Sequence, residues 1–311
     1  MPGSRRFHLA LGALLWLAPS SLLAQTPPQA AGDPRPVPAK LSQTLKWEQP
    51  TTPMKVVGPI YYVGTEGLAS WLITTPQGHI LMNTGLASSG PMIADSIRQL
   101  GFRPEDIRFI VFCHAHVDHV GALAQLKKLS GARVVAMQQE VELLQSGGTA
   151  DFLFGKDPEF RFEPVKVDVT ARDGGRLPLG DVVLTARLTP GHTRGTTTWT
   201  TRVMDGGKGY NVVFADGTSL NPEARLTGKP SYPDIESDYS RTFDVLESLK
   251  PDIWFSPHTQ NFDFEAKRAK AGQEGPAAWV DPEGYQRFLA GQKQKFEAKL
   301  KADRAAPATR P

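Results

Sequence analysis

The amino-acid sequence predicts a single-domain α/β fold in which two β-sheets pack on each other and are flanked by helices. Two observations predict it. Short apolar strand signals alternate with helical periodicities in both halves of the chain. Three of the apolar strands also run almost directly into a histidine, the pattern expected of a site along one edge of a sheet sandwich. The composition agrees: 311 residues, 40% hydrophobic and 22% charged, can close a core without disulfides. Cys113 is the only cysteine, so no intramolecular disulfide can form.

The chain opens with an export-signal pattern. Arg5 and Arg6 precede an apolar run from Leu9 to Leu17, followed by Pro19 and small residues up to Ala24. The run is too short to span a bilayer, and no cysteine follows it to carry a lipid anchor. Cleavage after residue 24 is therefore expected, leaving a periplasmic protein with no membrane attachment. That cleavage removes two arginines and no acid and takes the formal net charge from +3 to +1. So neutral a chain gives no electrostatic case for a nucleic-acid partner. Residues 25–45, rich in Pro, Ala and Gln, read as a flexible lead-in, 46–302 as the domain and 303–311 as a disordered tail.

Strand signals follow at 61–63, 70–75 and 79–83, with Pro76-Gln77-Gly78 turning the last two into a hairpin. Residues 90–100 place Met92, Ile93, Ile97 and Leu100 at helical spacing and stop at Gly101. The apolar strand 109–112 runs into Cys113-His114-Ala115-His116-Val117-Asp118-His119. A helix over 120–129, a strand at 133–137 and a helix at 138–144 come next, and the Gly- and Phe-bearing stretch 145–162 reads as a surface loop. Strands at 164–169, 182–188, 196–203 and 211–214, a helix at 239–249, a strand at 252–255 and a helix over 283–301 complete the chain. Trp71, Trp199 and Trp254 fall in strands and are assigned to the core, as is Cys113.

The histidines carry the chemistry. Of seven, His8 lies in the export signal and three others crowd into residues 114–119. Imidazole is a common zinc ligand, with carboxylate its usual companion. In extended chain alternate side chains share a face, so His114 and His116 can grip one ion; Asp118 continues that face and His119 can reach a neighbouring ion. His192 follows the strand 182–188 in Thr189-Pro190-Gly191-His192, where Pro and Gly force a turn that re-aims the side chain. His258 follows the strand 252–255 in Ser256-Pro257-His258. His79, in a turn before a strand, reads as a surface residue.

The string H-x-H-x-D-H with a later G-H and a final P-H resembles the metallo-β-lactamase superfamily. Residues 61–85, 188–199 and 232–264 resemble in particular its class B β-lactamases of the third subclass, and the likeness spans roughly residues 50–300. The resemblance implies an αββα sandwich of two mixed sheets and a first zinc on His114, His116 and His192. A second zinc would lie on Asp118, His119 and His258. It implies hydrolysis of the β-lactam amide bond, and with it antibiotic resistance. Two such ions, about 3.5–4 Å apart, can bridge a water and lower its pKa from 15.7 to near 7. Asp118 would orient that nucleophile and relay its proton, and Ser219 would contact the substrate carboxylate. Arg225 is near enough in sequence to do the same. A small-molecule substrate and a monomeric state are expected. No G-x-S-x-G points to a serine nucleophile.

The chain departs from the family at several positions. Gly217 stands where many members place a metal-bridging Asp and the third subclass places Ser. Asp216 is one residue away, so strand alternation would aim it elsewhere. The family tyrosine that follows has no counterpart. Asn83 stands where the family shows an Asp that supports a ligand. Phe152 and Phe154 either contact substrate or pack within their loop. Two alternatives remain open: hydrolysis of another cyclic ester or amide, such as a lactone, and a metal-binding homologue with weak activity.

Overall fold

Strands buried on both faces organise the N-terminal half of the computed structural model, which describes residues 39–305. The export signal, residues 25–38 of the lead-in and residues 306–311 of the tail lie outside the described residues. A short helix α1 (Ala39–Thr44) leads to β1 (Met54–Val57), β2 (Ile60–Tyr62), β3 (Trp71–Thr75) and β4 (Gly78–Met82). Next come α2 (Ser89–Gln99), β5 (Ile107–Val111), α3 (Val117–Val120), α4 (Leu123–Ser130), β6 (Arg133–Met137), α5 (Val141–Gln145) and β7 (Val169–Ala171). The seven strands pair in chain order, antiparallel up to β4 and parallel beyond it.

Alternation explains the nearly continuous apolar runs in β3, β4 and β5. Trp71, Ile73, Ile80, Met82 and Val111 enter one core, whereas Leu72, Leu81 and Ile110 enter another with Ile93 and Ile97 of α2 and Leu126 of α4. Each such Leu, Ile or Val contributes roughly 1.5–3 kcal/mol by leaving water.

The second sheet contains β8 (Arg176–Leu179), β9 (Val182–Leu188), β10 (Thr197–Asp205), β11 (Lys208–Phe214) and β12 (Ile253–Phe255), in the order β12-β11-β10-β9-β8. It packs on the first: the Trp71 ring lies 4.2 Å from that of Phe255 and 5.9 Å from that of Phe214. Helices α6 (Ile235–Ser248), α7 (Phe264–Glu274) and α8 (Pro282–Ala305) follow the strands. Tyr239 and Phe243 of α6, Phe296 of α8 and Tyr232 form a third core. The expected sandwich of two mixed sheets with helices is the fold observed.

The pairing directions decide where the site lies. β9 and β11 both run antiparallel to β10, and β12 runs parallel to β11. The C-terminal ends of β9, β11 and β12 therefore share one edge of the second sheet, and the residues that follow each strand emerge together.

Several boundaries differ from expectation. The lead-in expected to be flexible over 25–45 ends in α1, and residues 303–305, assigned to the tail, belong to α8, where Asp303 accepts a 2.7 Å bond from the Leu226 N–H. The helix expected over 120–129 is two pieces, because Ala122 leaves helical geometry between α3 and α4 (φ −95°, ψ 8°). Strand β7 starts at Val169 instead of residue 164. β8 is unanticipated, as its Pro178 argues against a strand except at a sheet edge, which is where it lies. His79 is buried in β4, 8% exposed, with its ring 5.2 Å from Phe102, so the surface reading of it is corrected. Among the described residues no helix is long and apolar enough to cross a membrane.

Candidate metal centre

Past Val111 the chain leaves the first sheet and is held against the second. The Thr197 N–H donates to the Cys113 carbonyl (2.7 Å) and Trp199 Nε1 to that of Phe112 (3.0 Å). Asn83, in the left-handed region at φ 59°, accepts the Cys113 N–H through Oδ1 at 3.0 Å. The Asn83 side chain thus braces the start of the histidine loop through its backbone. Cys113 itself is buried in the core between the sheets.

From this base the predicted residues converge. The ligand atoms of His114, His116 and His192 lie within 4.8 Å of one another, as do those of His114, Asp118 and His119. His192 Nε2 is 3.1 Å from His116 Nδ1. Asp118 Oδ2 lies 3.2 Å from His119 Nε2 and 3.6 Å from Nε2 of His258, whose ring stacks on Trp47.

The residues fit a metal. His114 Nε2 and His119 Nε2 are buried and have no hydrogen-bond partner among the described residues. A dry, unpaired lone pair is unfavourable, and a cation shared among several removes the penalty. The imidazole and carboxylate donor set suits zinc and other borderline divalent ions.

Each histidine of the first group has its far nitrogen engaged. Asp216 Oδ2 lies 2.5 Å from His114 Nδ1, Asp151 Oδ2 3.0 Å from His116 Nε2, and the Ser219 carbonyl 2.9 Å from His192 Nδ1. All three partners are acceptors, so the histidines donate there and turn their lone pairs toward one another. Asp216 is therefore not aimed away. β11 ends at Phe214 and Gly217 bends the chain at φ +105°, so strand alternation no longer applies.

Burial keeps four of the five imidazoles neutral. Desolvation, with the neighbouring histidines, pushes His119 and His192 down to about 3 and His258 to about 4, and holds His114 well below the usual range. His116 goes the other way: burial opposes its charge, but the Asp151 hydrogen bond and charge outweigh it. Burial likewise raises the Asp216 carboxyl to about 7.

A second carboxylate was not foreseen. Glu140, after β6, accepts from the Ala115 N–H (2.6 Å), the Thr193 hydroxyl (2.8 Å) and the Gly195 N–H (2.9 Å). It fastens the loop carrying His114 and His116 to the loop carrying His192. Burial raises its carboxyl to about 7. Only glycine fits at 195, since a Cβ there would lie 2.3 Å from the Glu140 nitrogen.

Other expected contacts divide. Ser219 is at the centre through its carbonyl, which also accepts from the Tyr239 hydroxyl (2.8 Å). Arg225 makes no contact with the histidines among the described residues; its charge bears on Asp303, and its N–H donates to Ser231 Oγ. Phe154 stacks on Phe160 and turns an edge to His116 at 5.7 Å, and Phe152 packs on Tyr232. Asp151 was also missed, because an acid in a glycine-rich loop carries no sequence signal of burial.

Comparison with known proteins agrees. The family model described as the metallo-beta-lactamase superfamily matches residues 63–258. The native FEZ-1 metallo-beta-lactamase of Legionella gormanii is 38% identical with a TM-score of 0.81, over 83% of this chain and 98% of that one. LRA-12, a class B3 di-zinc metallo-beta-lactamase from an Alaskan soil metagenome, is 33% identical with a TM-score of 0.78, over 82% and 96%. Curated relatives match over shorter stretches. A probable metallo-hydrolase of Burkholderia pseudomallei is 31% identical over 110 residues, 35% of either chain. The N-acyl homoserine lactonase AttM of Agrobacterium fabrum is 28% identical over 153 residues, 40% of this chain and 56% of AttM. By the family match and by the solved structures that share its fold along most of its length, this chain belongs to the metallo-β-lactamase superfamily.

Proposed function

We propose that this protein hydrolyses the amide bond of β-lactam antibiotics with two zinc ions, one held by His114, His116 and His192 and the other by Asp118, His119 and His258. The observation that carries the proposal is the convergence of His114, His116 and His192, with their far nitrogens capped and their lone pairs facing inward. The likeness to FEZ-1 and to the di-zinc LRA-12 supports both the substrate and the metal count.

Divalent ions held there supply Lewis acidity, acidifying water and polarising an amide carbonyl. The protein does the rest. Asp118 directs one oxygen to His119 and His258, and its other oxygen is left to orient the attacking water and take its proton. Ser219 holds the substrate carboxylate, next to the loop that its own carbonyl ties to His192. Phe154, with its edge on His116, walls the site against bulk water. In this reading the mature chain is a periplasmic monomer that acts on small molecules and confers β-lactam resistance.

A lactone is the competing substrate, motivated by the likeness to AttM. Asp216 argues against it: the acid nearest the bridging position is engaged by His114 and is not free to link two ions. The deciding measurement is turnover of nitrocefin, a carbapenem and an N-acyl homoserine lactone by the purified mature chain, with and without a chelator. β-Lactam turnover that stops with the chelator and returns with zinc is expected. Faster lactone turnover would transfer the proposal to that substrate, and two bound zinc ions with no turnover would leave a metal-binding homologue.

A further inference from the structure

The segment between α5 and β7 is tied into the metal centre at one point. The Asp151 side chain is only 3% exposed, and its two oxygens do different work. Oδ1 accepts the N–H groups of Leu153 and Phe154, each at 2.7 Å, and so builds the turn that presents Phe154. Oδ2 accepts from His116 Nε2 at 3.0 Å. Phe154 then stacks on Phe160, at 4.2 Å between ring centroids, and meets the His116 ring edge-on. The loop also closes on itself, with the Phe162 N–H donating to the Gly147 carbonyl (3.3 Å).

We propose that Asp151 is a positioning residue that couples the order of this loop to occupancy of the first metal site. The inference rests on the metal-site reading above. A carboxylate can only accept, so its bond to Nε2 fixes the proton there and leaves the His116 Nδ1 lone pair facing His192. An ion on Nδ1 selects that tautomer and ring orientation, which are the ones that hold Asp151 and therefore the Leu153–Phe154 turn. Linkage makes the effect reciprocal: the factor by which an ion suppresses opening of the loop is the factor by which the formed loop tightens the ion. Metal binding would thereby set the wall over the site.

Hydrogen exchange of the peptide spanning residues 151–156, measured on the full mature chain with and without zinc, tests the coupling, and chelator competition gives zinc affinity in parallel. In the wild-type protein zinc is expected to slow exchange of the Leu153 and Phe154 amides at least tenfold. Asp151→Asn keeps an acceptor for those amides but removes the carboxylate from His116. It is expected to leave metal-free exchange near wild type, abolish the zinc effect and weaken the first zinc by roughly 10–100-fold. His116→Ala is expected to lose the zinc effect, and His258→Ala, at the other site, to retain it. Wild-type zinc affinity in Asp151→Asn, or a zinc effect surviving in His116→Ala, overturns the coupling. Zinc-dependent nitrocefin turnover with no zinc effect on wild-type exchange overturns it too and leaves the hydrolase reading standing. A wild-type chain that binds no zinc ends both.

Discussion

Asp216 Oδ2 lies 2.5 Å from His114 Nδ1, although the two residues are 102 apart in the sequence. The contact joins the end of β11 to the loop after β5 and decides which nitrogen of His114 is available. With the proton held on Nδ1, the buried Nε2 is left with its lone pair and no hydrogen-bond partner among the described residues. Asp216→Ala is expected to weaken zinc at the first site by roughly 10–100-fold. Competition with a chromophoric chelator measures this. Unchanged affinity would mean that packing alone orients the imidazole.

Glu140 makes a prediction about stability. Its side chain satisfies the Ala115 and Gly195 N–H groups and the Thr193 hydroxyl, all in a buried setting. Glu140→Ala strands those three donors, and each buried group left unpaired costs about 1–3 kcal/mol. Relief of the buried carboxylate offsets part of this, so a net loss of about 3 kcal/mol is expected, roughly 6–12 °C in Tm for a domain of this size. The two ligand-bearing loops also come apart, so zinc affinity falls with stability. A Tm within a degree or two of wild type in calorimetry would show that the loops hold without this link.

Gly217 invites the substitution that the family resemblance suggests. Serine is expected to harm the protein. The residue sits at φ +105°, and a Cβ there would lie 2.3 Å from the Thr189 carbonyl oxygen. Strain of about 1–3 kcal/mol follows, and relief by moving Thr189 would drag Pro190, Gly191 and His192 with it. Gly217→Ser should therefore lower both Tm and zinc affinity. A gain in either would show that the backbone relaxes without disturbing His192.

How much of this was legible in the sequence depends on how local the cause is. The six candidate ligands stand out in the sequence because metal chemistry favours particular residue types and because short apolar strands announce where each chain segment surfaces. That His192 and His258 emerge on one edge follows from β9 and β12 both running parallel to β11, a pairing that no single stretch of sequence encodes. Asp216 was misread because alternation was carried past the end of its strand. Asp151 and Glu140 looked like ordinary loop acids, since only tertiary packing buries them. Arg225 looked suitable by proximity in the chain, but its neighbour in space is Asp303.

The final prediction concerns pH and the metal-free protein. His119, His192 and His258 have folded pKa values depressed to about 3, 3 and 4, so between those values and about 6.5 the unfolded chain binds protons that the folded one refuses. Their contribution is complete above about pH 6.5 and is lost as pH falls through the folded values. Glu140 and Asp216, both raised to about 7, act in the opposite sense: theirs is complete below about pH 4 and lost as pH rises through 7. Three imidazoles, with His114 depressed in the same direction, outweigh two carboxyls below about pH 6.5. Above it His116, whose pKa the Asp151 bond raises, acts with the carboxyls, and stability declines as pH rises. Stability of the chelator-treated protein should therefore climb from pH 4.5 to 6.5 and pass through a shallow maximum near neutrality, as read from urea melts at successive pH values. A curve that falls steadily over pH 4.5–6.5 would mean that the histidines are not held neutral by burial, and the account of the centre's electrostatics would fail with it.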